Sequence, residues 1–222
     1  MSNWDILVLD KSASMFKNKK DLIDGFNNLV LEQQVEKSTN LLTVITFNNR
    51  VEVFKEETFP NVSKIEDSDI ITTGSTALLD AVGEVYDMIL NNDNYTNITL
   101  TIITDGQENS SKNYTIDNLN ERKKLIDEKY TLNMIFIGAD ISCVTENEVN
   151  AHASQSVDCS GNIQHALRIA SRTMSSGRDS SQYIPEGIVE PNPVTPPVMK
   201  RSFSSTNERP PKVKRCKTFC KS

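Results

Sequence analysis

The chain has 222 residues, of which 37% are hydrophobic and 24% charged. That supports one domain with a proper buried core and an appendage, and no apolar run approaches the ~20 residues that span a bilayer. The net charge of −6 is unevenly spread: residues 1–176 hold 15 basic and 26 acidic side chains, net −11, and residues 177–222 hold 9 and 4, net +5, so an acidic body carries a basic tail.

Cys143, Cys159, Cys216 and Cys220 are scattered and give no disulfide framework, so a reducing compartment is the default. Cys216 and Cys220 would make half of a zinc site whose other half is missing. No basic start with an apolar run behind it, the mark of a secretory leader, precedes the first strand. The Asn-x-Ser/Thr triplets at Asn61, Asn94, Asn97, Asn109 and Asn113 are then products of an Asn-rich composition rather than glycan acceptors. The expectation is an intracellular protein, cytoplasmic in the first place, with the basic tail as a candidate nuclear signal.

Ile6 to Leu9 are apolar without alternation, as in a strand buried on both faces. Asp10, Ser12 and Ser14 follow directly. Short oxygen side chains spaced that closely suit a hard divalent cation; alternatively, Ser12 or Ser14 caps the next helix. Residues 15–20 read as a polar connector. A helix is predicted over 20–36, with Leu22, Ile23, Phe26, Leu29, Val30 and Gln33 as its buried stripe and Asp21 and Asp24 favouring its dipole. Residues 41–47 are β-rich, Asn48-Asn49 suits a two-residue turn, and residues 50–54 alternate with Val51 and Val53 on one face. The two runs form a hairpin whose second strand is an antiparallel edge. Residues 55–73 are mostly polar, with Val62, Ile65 and Ile70 holding down a short helix.

Gly74-Ser75-Thr76 forms a loop before a helix over 77–90 that buries Leu78, Val82, Val85 and Ile89. Thr76 therefore stands at a helix start, where it is either a cap or a ligand. Residues 98–104 repeat the opening design, a β-branched strand ending at Asp105, and Gly106 allows a sharp turn. Thr115 or Asp117 caps a helix reaching about Lys129, with Leu119, Lys123 and Ile126 along one side. A buried strand over 132–138, a short helix over 145–153, a brief strand over 156–158 and a last helix over 162–175 follow. That last helix buries Ile163, Ala166, Leu167, Ala170 and Met174.

Strands alternating with helices predict an α/β fold: a doubly wound, mostly parallel central sheet with one antiparallel edge strand and helices on both faces. The body is predicted to span 1–176. The Pro/Ser-rich basic tail, 177–222, cannot make a core and is predicted to be disordered.

In such a sheet, ligands bind at the carboxyl ends of the strands beside the switch in strand order. Asp10 and Asp105 both fall at strand ends, and Thr76 comes from a neighbouring loop. Two nearby carboxylates repel unless a cation lies between them. A Mg²⁺ would remove that cost and keep room for water and an outside ligand.

The set Asp10-Lys11-Ser12-Ala13-Ser14, Gly74-Ser75-Thr76 and Thr104-Asp105-Gly106 resembles the von Willebrand factor A (integrin I-like) domains. Their metal-ion-dependent adhesion site reads Asp-x-Ser-x-Ser, then a distant Thr, then an Asp usually within Thr-Asp-Gly. The resemblance covers about residues 4–176; Ala13 departs from the Gly common between the two serines. It implies a Rossmann-like fold and a metal site of Asp10, Ser12, Ser14, Thr76 and Asp105. Ser12 and Ser14 would bind Mg²⁺ (or Mn²⁺ or Ca²⁺) directly, and Thr76, Asp10 and Asp105 directly or through water according to state. It further implies that the open coordination position takes a carboxylate from a partner protein, often within a multiprotein assembly. From the residues themselves, neither a membrane nor catalysis is expected.

Two other functions compete. A metal-dependent phosphohydrolase could use Asp10 as nucleophile, but that chemistry wants a second aspartate two residues on, where Ser12 stands, and no Gly-Lys-Ser/Thr phosphate loop is present. His152 and His165 lie far from the constellation in sequence and read as surface residues. Alternatively the metal is structural and the tail carries the function. Lys200-Arg201 and the run from Lys212 to Lys217 resemble a localisation or weak nucleic-acid patch, which phosphorylation of Ser202, Ser204 or Ser205 would weaken. The plain alternative is a solvated tail.

Overall fold

The computed structural model describes residues 3–105, 108–138, 149, 152–158 and 162–176. The tail, the four cysteines and most of the short helix predicted over 145–153 lie outside them. Among the described residues, six strands form one sheet: β1 (Trp4–Asp10), β2 (Leu41–Phe47), β3 (Val51–Thr58), β4 (Asn97–Thr104), β5 (Thr131–Gly138) and β6 (Gln155–Asp158). Their order is β3-β2-β1-β4-β5-β6. Every pairing is parallel except β2 with β3, so β3 is an antiparallel edge strand. The predicted fold class holds.

Four helices cover the sheet among the described residues: α1 (Lys19–Val35), α2 (Leu78–Leu90), α3 (Ile116–Lys129) and α4 (Ile163–Ser176). They divide between two apolar layers. Leu7 and Leu9 of β1 pack with α1 and α4 in one, and Trp4, Ile6 and Val8 pack with α2 and α3 in the other. This explains the opening run: β1 is central and covered on both faces, so successive side chains point into different cores and both must be apolar. The predicted stripes of α1, α2 and α4 are all buried. In α3, Leu119 and Ile126 are buried, while Lys123 lies half-buried and ion-paired with Asp127.

Three local expectations change. Residues 15–20 are not simply a polar connector, because Ala13–Lys17 forms a 3-10 turn whose Met15 is fully buried. The hairpin loop is longer than the two-residue turn predicted at Asn48-Asn49. Phe47 pairs with Val51, and the Asn48 side chain closes the loop by accepting the Arg50 N–H at 3.0 Å. Strand β3 then continues to Thr58, with Val53 exposed, because only its β2 side is covered. His152, expected at the surface, is half-buried: its Nδ1 lies 3.1 Å from the buried Tyr86 hydroxyl, which needs a partner there, and its Nε2 lies 2.6 Å from Asn120 Oδ1. His165 is exposed as predicted.

The chain leaves β1 for α1 on one face and leaves β4 for α3 on the other. The gap between the carboxyl ends of β1 and β4 is therefore the topological switch point, where an α/β sheet opens a crevice.

Candidate metal centre

Asp10 is the last residue of β1 and is fully buried. Its Oδ1 accepts the Ser12 N–H at 2.6 Å and its Oδ2 accepts the Thr104 hydroxyl, from the end of β4, at 2.6 Å. The first bond folds the chain back at once, and the second ties β1 to β4 across the switch point. Burial pushes the Asp10 carboxyl from an ordinary 3.8 up to about 6, against the lowering effect of bonds from Thr104 and Ser12, with a further push from nearby Asp105.

The turn lifts the two serines above that carboxylate. Ser12 is buried and Ser14 exposed, with their Oγ atoms 3.0 Å apart. Ser14 Oγ donates to Asp105 Oδ1 at 2.7 Å. Asn18 Nδ2 donates to Asp105 Oδ2 at 3.0 Å. Neither serine acts as a helix cap: Ser12 precedes the 3-10 turn without a side-chain cap bond, and α1 starts after Asn18. Asp10, Ser12, Ser14 and Asp105 are thus joined in one run of close oxygen atoms.

Thr76 is brought to the same end by backbone, not by its hydroxyl. The Ala13 N–H donates to Gly74 O at 3.0 Å, and the Thr73 N–H donates to Lys11 O at 2.9 Å. Gly74 takes φ +80°, and a Cβ there would lie 2.6 Å from Asn49 Oδ1, so the position favours glycine. Thr76 is buried, but no hydrogen bond links its hydroxyl to the other four residues. The cap reading fails here too, because the N-cap of α2 is Ala77, which has no side-chain cap bond.

A second network, absent from the sequence reading, holds Thr76. Asn109 Oδ1 accepts the Thr76 N–H at 2.9 Å, and the Asn109 N–H donates to Thr76 O at 3.0 Å. Glu108 accepts the Leu79 N–H at 2.9 Å, which makes it the acceptor for the start of α2. Asp80 accepts three successive backbone N–H groups, from Lys112, Asn113 and Tyr114, at 2.9, 2.8 and 3.0 Å. The only sequence signal was the position of Asp80 in the first turn of a helix; the remote partners of these side chains leave no local pattern.

Among the described residues no three His, Cys, Asp or Glu side chains converge, so the cluster offers hydroxyls and two carboxylates. That donor set fits a hard, oxygen-seeking cation and does not fit zinc, which favours nitrogen and sulfur. Asp10, buried and raised in pKa beside a second carboxylate, is the charge a cation would relieve.

A doubly wound α/β sheet of this strand order defines a structural class, and solved structures match it in fold. The chain is similar to a von Willebrand factor type A protein from Catenulispora acidiphila at 13% identity and TM-score 0.52, covering 78% of this chain and 43% of that one. It is similar to the pilus adhesin SpaC from Lactobacillus rhamnosus GG at 14% and 0.59, covering 78% and 31%. It is also similar to the von Willebrand factor domain of the type V pilus tip protein Mfa5 from Porphyromonas gingivalis at 9% and 0.57, covering 83% and 98%. The chain thus spans less than half of the first two proteins but nearly all of the isolated third domain. At such identities the likeness is one of fold: the chain has a von Willebrand factor A-type fold. No protein-family model and no curated protein matches it.

Proposed function

We propose that this chain is a protein-binding module that captures a carboxylate of a partner through a divalent cation held by Asp10, Ser12, Ser14, Thr76 and Asp105. The observation that carries this reading is the run of oxygen atoms from Ser12 Oγ to Ser14 Oγ to Asp105 Oδ1, spaced 3.0 and 2.7 Å, beside the buried Asp10. Bound there, Mg²⁺ (or Mn²⁺ or Ca²⁺) would supply a hard electrophilic centre with room for one outside oxygen ligand. The chain's own part is to hold the donors. Asp10 fixes the turn and contributes charge, the serines present hydroxyls, Asn18 orients Asp105, and Asn109 fixes the Thr76 backbone. The fold shared with a pilus adhesin and a pilus tip domain is compatible with adhesion and adds no partner to this chain.

A nucleophilic role for Asp10, as in a phosphohydrolase, finds no support in the geometry, since the carboxylate is fully buried and both oxygens accept bonds. The test is titration calorimetry with Mg²⁺, paired with affinity capture in Mg²⁺ against EDTA. Ser12→Ala is the sharpest variant, because it removes one donor hydroxyl while Asp10 keeps the Ser12 backbone N–H and the Thr104 hydroxyl. It should lose Mg²⁺ binding and the EDTA-sensitive partner with its circular dichroism unchanged. Capture that is the same in EDTA as in Mg²⁺ would overturn the reading.

A further inference from the structure

The 3-10 turn and the strand of chain before Thr76 run side by side at the mouth of the cluster, joined by the Ala13–Gly74 and Lys11–Thr73 backbone bonds. Each sends one apolar side chain inward: Met15 and Ile70 are fully buried in the same core cluster. Each then presents the next residue outward: Phe16 is 75% exposed and Ile71 68% exposed. A single exposed apolar residue needs no explanation. Here two stand on segments joined by backbone bonds, each next to a core anchor that fixes its backbone.

The cations of this region differ in the same sense. Lys11 pairs with Glu52 at 2.6 Å, Lys19 with Asp67 at 2.8 Å, and Lys20 with Asp24. Lys17, between Phe16 and Asn18, is exposed and has no ion pair among the described residues. An acidic body of net −11 over residues 1–176 repels extended polyanions such as nucleic acid. An acidic partner gains only where local positive charge and apolar contact coincide.

We infer that this rim selects a segment of another protein in which the captured carboxylate stands beside a large apolar side chain, received by Phe16 and Ile71, and near a second carboxylate, received by Lys17. The inference rests on the cation-dependent capture proposed above and fails separately from it.

The probe is a library of short random peptides panned on the full chain in Mg²⁺ and released with EDTA. Released sequences should be enriched in Asp or Glu flanked by Leu, Ile, Phe or Met, with a second acid close by. A peptide of that consensus should bind the Phe16→Ser/Ile71→Ser double variant about tenfold more weakly, the loss expected when one large apolar contact is removed. Lys17→Glu should weaken the same peptide and spare a version lacking the second acid. Both variants change exposed side chains, so they should fold as the parent does and still bind Mg²⁺, Lys17→Glu at least as tightly because it adds negative charge near the cation. Released peptides with acids but no apolar neighbours, or unchanged affinity in both variants, would overturn the rim proposal and leave cation capture standing. Mg²⁺ binding with no EDTA-released peptides would also overturn it. Failure to bind Mg²⁺ at all would instead overturn the reading beneath it.

Discussion

The Asp10–Ser14 turn and the loop of residues 108–114 meet at the same end of the sheet, and each leans on a buried carboxylate. Asp80 accepts three backbone N–H groups at 2.8–3.0 Å, and these bonds tie the start of α2 to residues 112–114. Asp10 accepts two donors at 2.6 Å, yet it sits beside Asp105 and two hydroxyls, and its carboxyl is pushed up to about 6. The first carboxylate completes a scaffold. The second remains costly in its charged form, and that unsettled charge marks where a cation has something to gain.

This contrast is broken most directly at Asp80. Asp80→Ala would leave three partly buried N–H groups without their acceptor, a loss of about 4 kcal/mol for three bonds to a charged group. Urea unfolding in EDTA measures it without any contribution from metal; a loss below about 1 kcal/mol would show that water replaces the carboxylate.

Asp10→Asn tests the other carboxylate and should have the opposite sign. A carboxyl whose folded pKa is raised from 3.8 to about 6 favours the folded state fully below pH 4, and that contribution is lost as pH rises through 6. In EDTA the parent chain should therefore lose stability between pH 4 and 7, by at most about 3 kcal/mol at the scale of 1.36 kcal/mol per unit. Asn keeps an acceptor for the Ser12 N–H and removes the charge. The variant should flatten this dependence, unfold at higher urea at pH 8 and lose stabilisation by Mg²⁺. A parent curve already flat in EDTA would refute the electrostatic account.

Gly83→Ala probes the scaffold from the side. An added methyl normally stabilises a helix, but at Gly83 its Cβ would fall 2.2 Å from the ring of Tyr114, whose hydroxyl bonds Asp87 at 2.6 Å. Overpacking should turn the expected gain into a loss of about 2 kcal/mol, read in the same urea assay.

The sequence made the two halves unequally visible. Elements whose cause is local were legible: the doubly covered β1, the stripes of α1, α2 and α4, and the edge hairpin. The meeting of Asp10, Ser12, Ser14 and Asp105 was legible as well, because each stands at or just past the carboxyl end of a strand. The Asp80, Glu108 and Asn109 network was not, because its bonds join residues about thirty positions apart through backbone atoms that any sequence would supply. Residues 15–20 misled because Met15 and Phe16, two adjacent apolar residues ahead of the lysines, have no period to show which of them is buried. Burial of His152 was hidden because the need came from Tyr86, on a different element.

Asn109 is where the two halves touch, and it gives the smallest and most discriminating effect. Asn109→Ala removes the acceptor of the Thr76 N–H but keeps the backbone bond from the Asn109 N–H to Thr76 O. Stability should fall by only about 1 kcal/mol. If Thr76 serves the cation, loosening its backbone should still weaken Mg²⁺ binding several-fold. Asn109→Asp separates positioning from mere stability, because it restores the acceptor oxygen. It should recover Mg²⁺ affinity to at least the parent level, its added negative charge acting in the same direction. Equal Mg²⁺ affinity in the parent and Asn109→Ala would remove Thr76 from the ligand set and leave a four-residue centre of Asp10, Ser12, Ser14 and Asp105.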